Sequence, residues 1–331
     1  MRIAVLDDYH HIAASLPGWA TLGAEVAIFD KPLPQERLAS TLAEFDALVL
    51  MRERTAFPRE LLEQLPNLKV VVTTGMRNAS VDAAYLRERG IAYYGTGIAG
   101  YGGKDALGTA GAPEQPRGVP STIEIAWALI FAVLKRVVTE DRAIRFGVWQ
   151  EGMPQLLSGK TLGLLGLGRL GSAMVAPAKV FGLDVIAWSE NLTPERAAEA
   201  GADYVSKDEL LERSDVISIH LVLSDRTRGL LGAPEFERMK RSAILINTSR
   251  GPIVDELALV DALKSGTIAG AGLDVYDREP LPSDSQLPDL QNTVLLPHFG
   301  YVSEENLRDM WTQTIEDLAA HIAGSPIRVI Q

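Results

Sequence analysis

The 331-residue sequence contains no cysteine and only five histidines. The lack of cysteine excludes disulfide bonds, thiolate metal ligands and a cysteine nucleophile. It is also compatible with a reducing cytoplasm, which is the compartment we expect for the protein. Because the few histidines form no cluster with other ligand residues in the sequence, we expect no metal site.

Long apolar segments are also missing. The longest apolar run spans residues 125–134, whereas a membrane-spanning helix needs about 18 apolar residues or more. The first residues, MRIAVLDDYH, place two aspartates after a short apolar strand and lack the basic region and apolar core of a signal peptide. The sequence therefore predicts a protein without a membrane span and without an export signal.

Basic residues are fewer than acidic ones: 32 Lys and Arg face 43 Asp and Glu, a formal net charge of -11. Because binding to phosphate backbones requires clustered Lys and Arg, this balance argues against nucleic acid as a partner. The remaining composition, with 47% hydrophobic and 23% charged residues, is that of an ordinary globular chain. The length favours about two domains.

Two regions of the sequence alternate short apolar runs with helical patterns, which indicates an α/β protein with mostly parallel sheets. The predicted strands of the first region span residues 2–6, 25–29, 47–51 and 69–73, and its predicted helices span 35–44 and 59–65. The strands of the second region are expected at 162–166, 185–189, 215–220, 243–247, 268–274 and 293–296. An amphipathic helix over residues 304–322 ends the chain.

Residues 95–120 interrupt this alternation with eight glycines and three prolines, and we expect a loop or a linker there. Ser121 and Glu124 follow it with the spacing of a capping box, in which each side chain binds the backbone N–H of the other residue. The helix that they begin is expected to run to about residue 138, with an apolar face broad enough to be buried.

A glycine-rich motif follows a predicted strand directly and opens a helix: Gly166, Gly168 and Gly171, with Arg169 and Leu170 between them. In this context the spacing is a dinucleotide-binding fingerprint. The first glycine allows a tight turn, the second lets a pyrophosphate approach the backbone, and the third allows close helix–strand packing. The motif therefore predicts a phosphate site at a helix N-terminus.

The residues after the next predicted strand, Ser189 and Glu190, lie where an acidic residue binds the adenosine ribose of NAD. Serine alone would tolerate the 2′-phosphate of NADP, but Glu190 would repel it, and the next arginine is Arg196. We therefore expect NAD rather than NADP. In the helix between the two sites, Pro177 is expected to remove one backbone hydrogen bond and to kink or divide the helix.

Three polar residues follow predicted strands: Arg250 in NTSRG, Glu279 in DVYDREPLP and His298 in LLPHFG. Carboxyl ends of strands are where α/β sheets bind ligands. Hydride transfer to a 2-oxo acid needs a cation for the carboxylate and carbonyl oxygens, a proton donor, and a carboxylate partner for that donor. Arg250, His298 and Glu279 can fill these roles in that order, and a surface position is the alternative for each of them taken singly.

With these motifs the sequence resembles the D-isomer-specific 2-hydroxyacid dehydrogenases, which include phosphoglycerate dehydrogenase and glyoxylate/hydroxypyruvate reductase. The resemblance covers nearly the whole chain and is carried by GLGRLG, by the block from AILINTSRG to DVYDREPLP, and by NTVLLPHFG. It implies an oxidoreductase that transfers a hydride between NAD(H) and a small 2-oxo or D-2-hydroxy acid.

The resemblance also implies an architecture of two doubly wound parallel-sheet domains. A Rossmann cofactor domain, residues 121–298, would be inserted into a discontinuous flavodoxin-like substrate domain, residues 1–120 and 299–331. The active site would lie in the cleft between the domains, with hinges near residues 120 and 299. The helix that starts at Ser121 would be the dimer element, so a homodimer is expected.

Further site residues are implied only by the resemblance. Gly75, Met76 and Arg77 match a loop whose backbone N–H groups meet the substrate carboxylate. Asp274 matches the residue that hydrogen-bonds the nicotinamide carboxamide. Other positions that match residues lining the cofactor are His220, Leu221 and Thr248.

Some alternatives stay open. Arg52 and Arg77 could both contact the substrate and would then suit a second anionic group such as a phosphate, but solvated surface arginines are an equal alternative. Residues 102–120 form an insertion relative to many members of the family, and a flap, a dimer contact or a mobile excursion would each fit. An NADH-sensing corepressor-like binding protein is the alternative function. The intact Arg, Glu and His set favours an enzyme, since a sensor needs no proton donor.

Overall fold

The computed structural model describes residues 1–97 and 120–330 of the chain. The chain divides into two compact units, which we call unit 1 (residues 1–118 and 302–331) and unit 2 (residues 119–301). The glycine-rich segment predicted to be an insertion lies, apart from Pro120, outside the described residues.

Unit 1 is built on one parallel sheet. Its strands are β1 (Arg2–Val5), β2 (Glu25–Ile28), β3 (Ala47–Leu50), β4 (Val70–Thr73) and β5 (Ala92–Gly95). They pair in the order β2-β1-β3-β4-β5. The central strands β3 and β4 read ALVL and VVVT and are buried at every position, because a parallel sheet is covered on both faces.

The helices of unit 1 cover this sheet. They are α1 (Gln35–Leu42), α2 (Arg59–Leu62), α3 (Ala83–Glu88) and the last helix of the chain, α11 (Glu304–Ile322). Helix α11 packs against β4 and β5, and it buries Leu307, Met310, Trp311 and Leu318, which recur at helical spacing.

Unit 2 contains a larger parallel sheet. Its strands are β6 (Thr161–Leu165), β7 (Asp184–Trp188), β8 (Asp203–Tyr204), β9 (Val216–Ile219), β10 (Ile244–Asn247), β11 (Gly270–Leu273) and β12 (Thr293–Leu295). They pair in the order β12-β11-β10-β9-β6-β7-β8. The chain runs from β6 to one side and then returns to continue from β9 on the other side. The switch point between β6 and β9 is where doubly wound sheets bind ligands.

Helices cover both faces of the second sheet. They are α4 (Ser121–Leu134), α5 (Val137–Arg145), α6 (Arg169–Val180), α7 (Pro194–Ala200), α8 (Lys207–Arg213), α9 (Ala233–Arg238) and α10 (Glu256–Ser265). Alternate strand residues face separate apolar cores: Leu245 packs in one, and its neighbours Ile244 and Ile246 pack in the other. The α/β class with two parallel, doubly wound sheets is thereby confirmed.

The predicted capping box at Ser121 is wrong. Pro120 is the N-cap of α4, and no side chain caps the helix. Ser121 is already the first helical residue, so its hydroxyl is not placed to bind the N–H of Glu124. The carbonyl group of Pro120 accepts hydrogen bonds from the N–H groups of Ile123 and Glu124 instead.

Two other helix predictions need correction. Helix α4 ends at Leu134 instead of near residue 138, because Arg136 has φ +56 and starts a new helix, α5. Of the two effects expected of Pro177, a division of the helix is wrong, because α6 continues from Arg169 to Val180. Proline removes one N–H donor, while Met174 and Ala178 remain buried in the core and keep the helix on the sheet. None of the helices among the described residues has the length and apolar character of a membrane span.

Candidate active site

The turn between β6 and α6 requires glycine at two positions and leaves space at a third. Gly166 has φ +99, and a Cβ there would collide with the carbonyl group of His220. At Gly171 a Cβ would overlap the carbonyl oxygen of Gly166. Gly168, the N-cap of α6, faces open space where its Cβ would stand. Packing therefore fixes the first and third glycines, and the second leaves room for a ligand.

The start of α6 can hold a phosphate through the main chain. Arg169 and Leu170 lie in the first turn, where the N–H groups of a helix have no acceptor within the helix, and the N-cap residue Gly168 has no side chain to cap them. The partial positive charge of a helix N-terminus favours an anion at this point. The geometry thus fits the pyrophosphate of a dinucleotide.

Polar groups at the ends of β9 and β10 lie along the same edge of the sheet. Thr248, directly after β10, is 7% exposed, and its hydroxyl has no hydrogen-bond partner among the described residues. A buried hydroxyl of this kind costs free energy unless a ligand or a water molecule pairs with it. Burial lowers the pKa of His220 to about 4, so its ring is neutral at pH 7. The next residue, Leu221, accepts a hydrogen bond from the hydroxyl of Ser249 through its carbonyl group. These groups fit the lining of a cofactor site.

The predicted ribose-binding pair lies at the end of β7. Ser189 is partly buried and Glu190 is exposed. Arg196 donates a hydrogen bond of 3.3 Å to the carbonyl group of Asn191, which holds it to this loop. The turn therefore presents a hydroxyl and a carboxylate, with a guanidinium held by the backbone nearby.

His298 and Glu279 form a close pair. His298 Nδ1 lies 2.6 Å from Glu279 Oε2, and the side chains are 28% and 34% exposed. The other carboxylate oxygen accepts a hydrogen bond of 3.0 Å from the N–H of Tyr276. Burial by itself would raise the pKa of Glu279, but the hydrogen bond and charge of His298, the Tyr276 N–H and the charge of Arg250 outweigh it. The pKa of Glu279 therefore lies below its usual value, and an ionised Glu279 stabilises a protonated His298.

Arg250 lies in the same region of unit 2. Its charge contributes to the lowered pKa of Glu279, and its Nη1 donates a hydrogen bond of 2.8 Å to the carbonyl group of Ser249. The next residue, Gly251, packs so closely on the segment that leads to Glu279 that a Cβ would overlap the carbonyl group of Tyr276. The structure thus brings the three predicted polar residues together.

Asp274 is fully buried at the end of β11. Its two carboxylate oxygens accept hydrogen bonds from the N–H groups of Phe299, at 2.6 Å, and Gly300, at 2.8 Å. Burial raises the pKa of Asp274 to about 6, although these N–H groups lower it. The resemblance predicted a contact with the cofactor for Asp274, and the structure adds a contact with the residues that follow His298.

Sequence reasoning missed two hydroxyl groups around the same turn. Tyr276 donates a hydrogen bond of 2.8 Å to the carbonyl group of Leu296, and Thr122 donates one of 2.7 Å to the carbonyl group of Gly300. Thr122 is far from Gly300 in the sequence, so no local pattern connects them. The aromatic residue in DVYDREP was the one signal available for Tyr276.

The predicted substrate residues of unit 1 follow β3 and β4. Gly75 has φ +102, and a Cβ there would overlap the guanidinium of Arg52. Arg52 Nη1 lies 3.4 Å from the carbonyl oxygen of Thr74. Met76 is partly buried and Arg77 is exposed. The structure thus places Arg52 against the predicted carboxylate loop and leaves Arg77 on the surface of unit 1.

No group of three or more His, Asp or Glu side chains within residues 1–97 and 120–330 is arranged to hold a metal ion.

Comparisons with known proteins identify the same class. The family described as D-isomer specific 2-hydroxyacid dehydrogenase, NAD binding domain, matches residues 127–300. A glyoxylate reductase of Aeropyrum pernix is 38% identical over 312 residues, which cover 91% of this chain and 87% of the relative. A hydroxypyruvate reductase of Blautia hydrogenotrophica is 30% identical, and the similarity covers 100% of this chain and 99% of that relative.

Solved structures agree with this similarity. A phosphoglycerate oxidoreductase from Vibrio cholerae superposes with a TM-score of 0.87 at 30% identity, over 98% of this chain and 99% of that one. The similarity extends over both units and over the motifs that hold the polar residues. The chain therefore belongs to the D-isomer-specific 2-hydroxyacid dehydrogenases and is an enzyme of that class with a nicotinamide cofactor.

Proposed function

We propose that the protein reduces a small 2-oxo acid with NADH, and that His298 gives the proton to the carbonyl oxygen. The supporting observation is the 2.6 Å contact between His298 Nδ1 and Glu279 Oε2. A carboxylate on one ring nitrogen fixes the ring and stabilises its charged form, so the other nitrogen can deliver a proton. The cofactor, when bound, supplies the hydride. In the reverse direction His298 accepts the proton of the hydroxy acid.

Arg250 is the proposed partner of the substrate carboxylate and carbonyl oxygen. A guanidinium offers parallel N–H donors that match two oxygen atoms, and its charge stabilises the negative charge that develops on the carbonyl oxygen. The packing of Gly251 against Tyr276 supports a fixed relation between Arg250 and the segment that bears Glu279.

For the cofactor we propose NAD in preference to NADP. The glycine turn at Gly166 and Gly168 fits the pyrophosphate, and Thr248 offers a buried hydroxyl that lacks a partner among the described residues. Glu190, at the end of β7, disfavours a 2′-phosphate by charge repulsion. Asp274 is proposed to contact the nicotinamide carboxamide with lone pairs that its two backbone donors leave available.

We propose that unit 1 is the substrate domain and that unit 2 is the cofactor domain. The boundaries of the units lie within three residues of the expected limits, which are residues 1–120 and 299–331 for the substrate domain and residues 121–298 for the cofactor domain. The N–H of Gly75 already donates to the hydroxyl of Thr96 at 2.9 Å. The N–H groups of Met76 and Arg77 have no acceptor among the described residues, and we assign the substrate carboxylate to them. Arg52, which lies against this loop, is a candidate for a second anionic group.

The names of the relatives suggest the size of the substrate. Glyoxylate reductases and a hydroxypyruvate reductase are among the proteins similar to this chain, and D-3-phosphoglycerate dehydrogenases are also similar to it. We propose a 2-oxo acid of two or three carbons, with phosphorylated acids as the variant that Arg52 would favour.

We further propose a homodimer that uses α4 and the segment after it. The apolar side chains of α4 are mostly buried within unit 2. The exposed apolar surface lies farther on, where Phe146, Trp149, Met153 and Leu156 are all exposed. Clustered exposed apolar side chains of this kind are typical of an interface, and a second copy of this chain would bury them.

The proposed function is tested by following NADH absorbance with glyoxylate, hydroxypyruvate, pyruvate and 3-phosphohydroxypyruvate, each with NADH and with NADPH. His298→Ala should lose nearly all turnover and still bind NADH, since the imidazole acts on the proton alone. Undiminished turnover in this variant would refute the role of His298. Tight NADH binding by the wild type without turnover of any acid would favour the sensor alternative.

A further inference from the structure

The turn that carries His298 has an uncommon backbone. His298 has φ +58, in the left-handed region. For a residue with a side chain this conformation costs about 1 kcal/mol or more, and it persists where surrounding contacts determine it. The contacts that hold this turn should therefore affect where the imidazole lies.

Upstream of His298, the chain is fixed to β11. The N–H of Leu296 donates to the carbonyl group of Leu273 at 2.8 Å, and Tyr276 donates its hydroxyl to the carbonyl group of Leu296 at 2.8 Å. The backbone thus reaches Pro297 in a defined position, and the turn consists of the few residues that follow.

Downstream of His298, both backbone polar groups of Gly300 form hydrogen bonds to side chains. Its N–H donates to Asp274 Oδ2 at 2.8 Å, and its carbonyl group accepts the hydroxyl of Thr122 at 2.7 Å. A Cβ at Gly300 would come within 3.2 Å of both Asp274 Oδ2 and Thr122 Cγ2. The N–H of Phe299 donates to the other oxygen of Asp274 at 2.6 Å. Three hydrogen bonds thus hold the two residues after His298.

We propose that Thr122 and Asp274 are positioning residues, which clamp the backbone after His298 and so keep its imidazole in place for proton transfer. This inference rests on the proposed function of His298. Proton transfer requires heavy atoms within about 3 Å, and a displacement of about 1 Å can reduce the rate by about 100-fold. Loss of one of the three hydrogen bonds that hold Phe299 and Gly300 should therefore reduce the rate measurably, with no direct change to the binding of cofactor or substrate.

Thr122 separates this role from cofactor binding better than Asp274 does, because Asp274 is also proposed to contact the nicotinamide. Thr122→Val removes the hydroxyl at nearly constant volume, Thr122→Ser keeps it, and Thr122→Ala is a second way to remove it. Thr293→Val is a matched control. Thr293 is the first residue of β12, the strand that leads to His298, and its hydroxyl donates a 2.9 Å hydrogen bond to the carbonyl group of Leu290.

The experiment measures kcat, KM and NADH affinity for each variant, together with hydrogen exchange of the peptide that contains Phe299 and Gly300. We expect Thr122→Val and Thr122→Ala to lower kcat about tenfold, with KM and NADH affinity within about twofold of the wild type. Thr122→Ser should restore most of kcat. Exchange at Phe299 and Gly300 should be faster in Thr122→Val and unchanged in Thr293→Val.

The inference is overturned if kcat of Thr122→Val stays within about twofold of the wild type, or if Thr293→Val lowers kcat as much. It is also overturned if NADH affinity falls by the same factor as kcat, since Thr122 would then act through the cofactor. If the wild type reduces no 2-oxo acid, or if His298→Ala keeps full turnover, the proposed function fails and the inference fails with it. If the wild type reduces a 2-oxo acid and Thr122→Val keeps full activity, the positioning role of Thr122 is refuted and the proposed function stands.

Discussion

Replacing Glu279 by glutamine tests the pair that underlies the proposed mechanism. Glutamine keeps an oxygen that can accept the N–H of Tyr276 and preserves the shape of the side chain, but it removes the charge 2.6 Å from His298 Nδ1. The substitution therefore changes the stability of the protonated imidazole with little change in packing.

The expected magnitude follows from the exposure of the pair. A hydrogen bond to a charged group contributes about 1.5–3 kcal/mol. Because the two side chains are 28% and 34% exposed, solvent screening places this pair at the lower end of that range. A loss of about 1.4 kcal/mol corresponds to about a tenfold change in an equilibrium or a rate.

The direction of the effect follows from the charge. The carboxylate of Glu279 favours the charged form of the imidazole beside it, and the neutral amide of glutamine does not. Glu279→Gln should therefore lower kcat for reduction about tenfold. Steady-state reduction of the best 2-oxo acid, with kcat and KM determined separately, measures this change.

A control lies on a neighbouring helix. Glu256 Oε2, on α10, accepts the N–H of Asp277 at 3.2 Å, so Glu256→Gln removes a carboxylate that binds the segment of Glu279 and leaves the contacts of His298 unchanged. We expect its kcat to stay within about twofold of the wild type. A Glu279→Gln variant that keeps full kcat, or that loses no more of it than Glu256→Gln does, would refute the reasoning.

Three further predictions concern the cofactor turn, stability and assembly. Gly171→Ala should weaken NADH binding more than about tenfold in a fluorescence titration, because the Cβ overlaps the carbonyl oxygen of Gly166. Arg328→Met should destabilise the protein by about 3–5 kcal/mol at pH 8 in urea denaturation, because Arg328 Nε lies 2.8 Å from the fully buried Asp317. Burial raises the pKa of Asp317 to about 7 even though Arg328 lowers it. As the pH falls through 7, the carboxylate is protonated, so the loss should be smaller at pH 6. Trp149→Ser, at a side chain that is 76% exposed, should weaken a homodimer at least about tenfold in analytical ultracentrifugation.

Each of these predictions has a matched control. Gly232→Ala places a Cβ at ordinary contact distances and should leave NADH affinity unchanged. Arg308→Met removes an exposed ion pair with Glu304 on α11 and should cost less than about 1 kcal/mol. Leu257→Ser removes an apolar side chain of similar exposure on α10 and should leave assembly unchanged. If a control loses as much NADH affinity, stability or dimer affinity as its test variant, the corresponding argument is contradicted. If the destabilisation by Arg328→Met grows toward pH 6, the expected direction of its pH dependence is contradicted.

The fold class could be predicted from the sequence because its signals are local. Runs such as ALVL and VVVT predict strands buried on both faces, and the spacing of Gly166, Gly168 and Gly171 predicts a strand–turn–helix unit. The predictions that failed concern helix ends, apart from the division of α6 at Pro177. The pattern at Ser121 fits a capping box, but the preceding Pro120 takes the N-cap position. Capping depends on which residue first adopts helical geometry. Because the choice of capping residue changes the stability of a helix by only about 1 kcal/mol, a local pattern does not fix where the helix begins.

The sequence by itself determined which side chains could do chemistry: no thiol, few imidazoles, and Arg250, Glu279 and His298 at strand ends. The tertiary structure decided how they are held. The contact of His298 with Glu279 spans 19 positions in the chain, and that of Thr122 with Gly300 spans 178. Such pairs depend on strand order and helix packing, which no short-range pattern encodes. For this reason the contacts that hold the turn of His298 depend on the packing of β11, β12 and α4 and not on any local pattern.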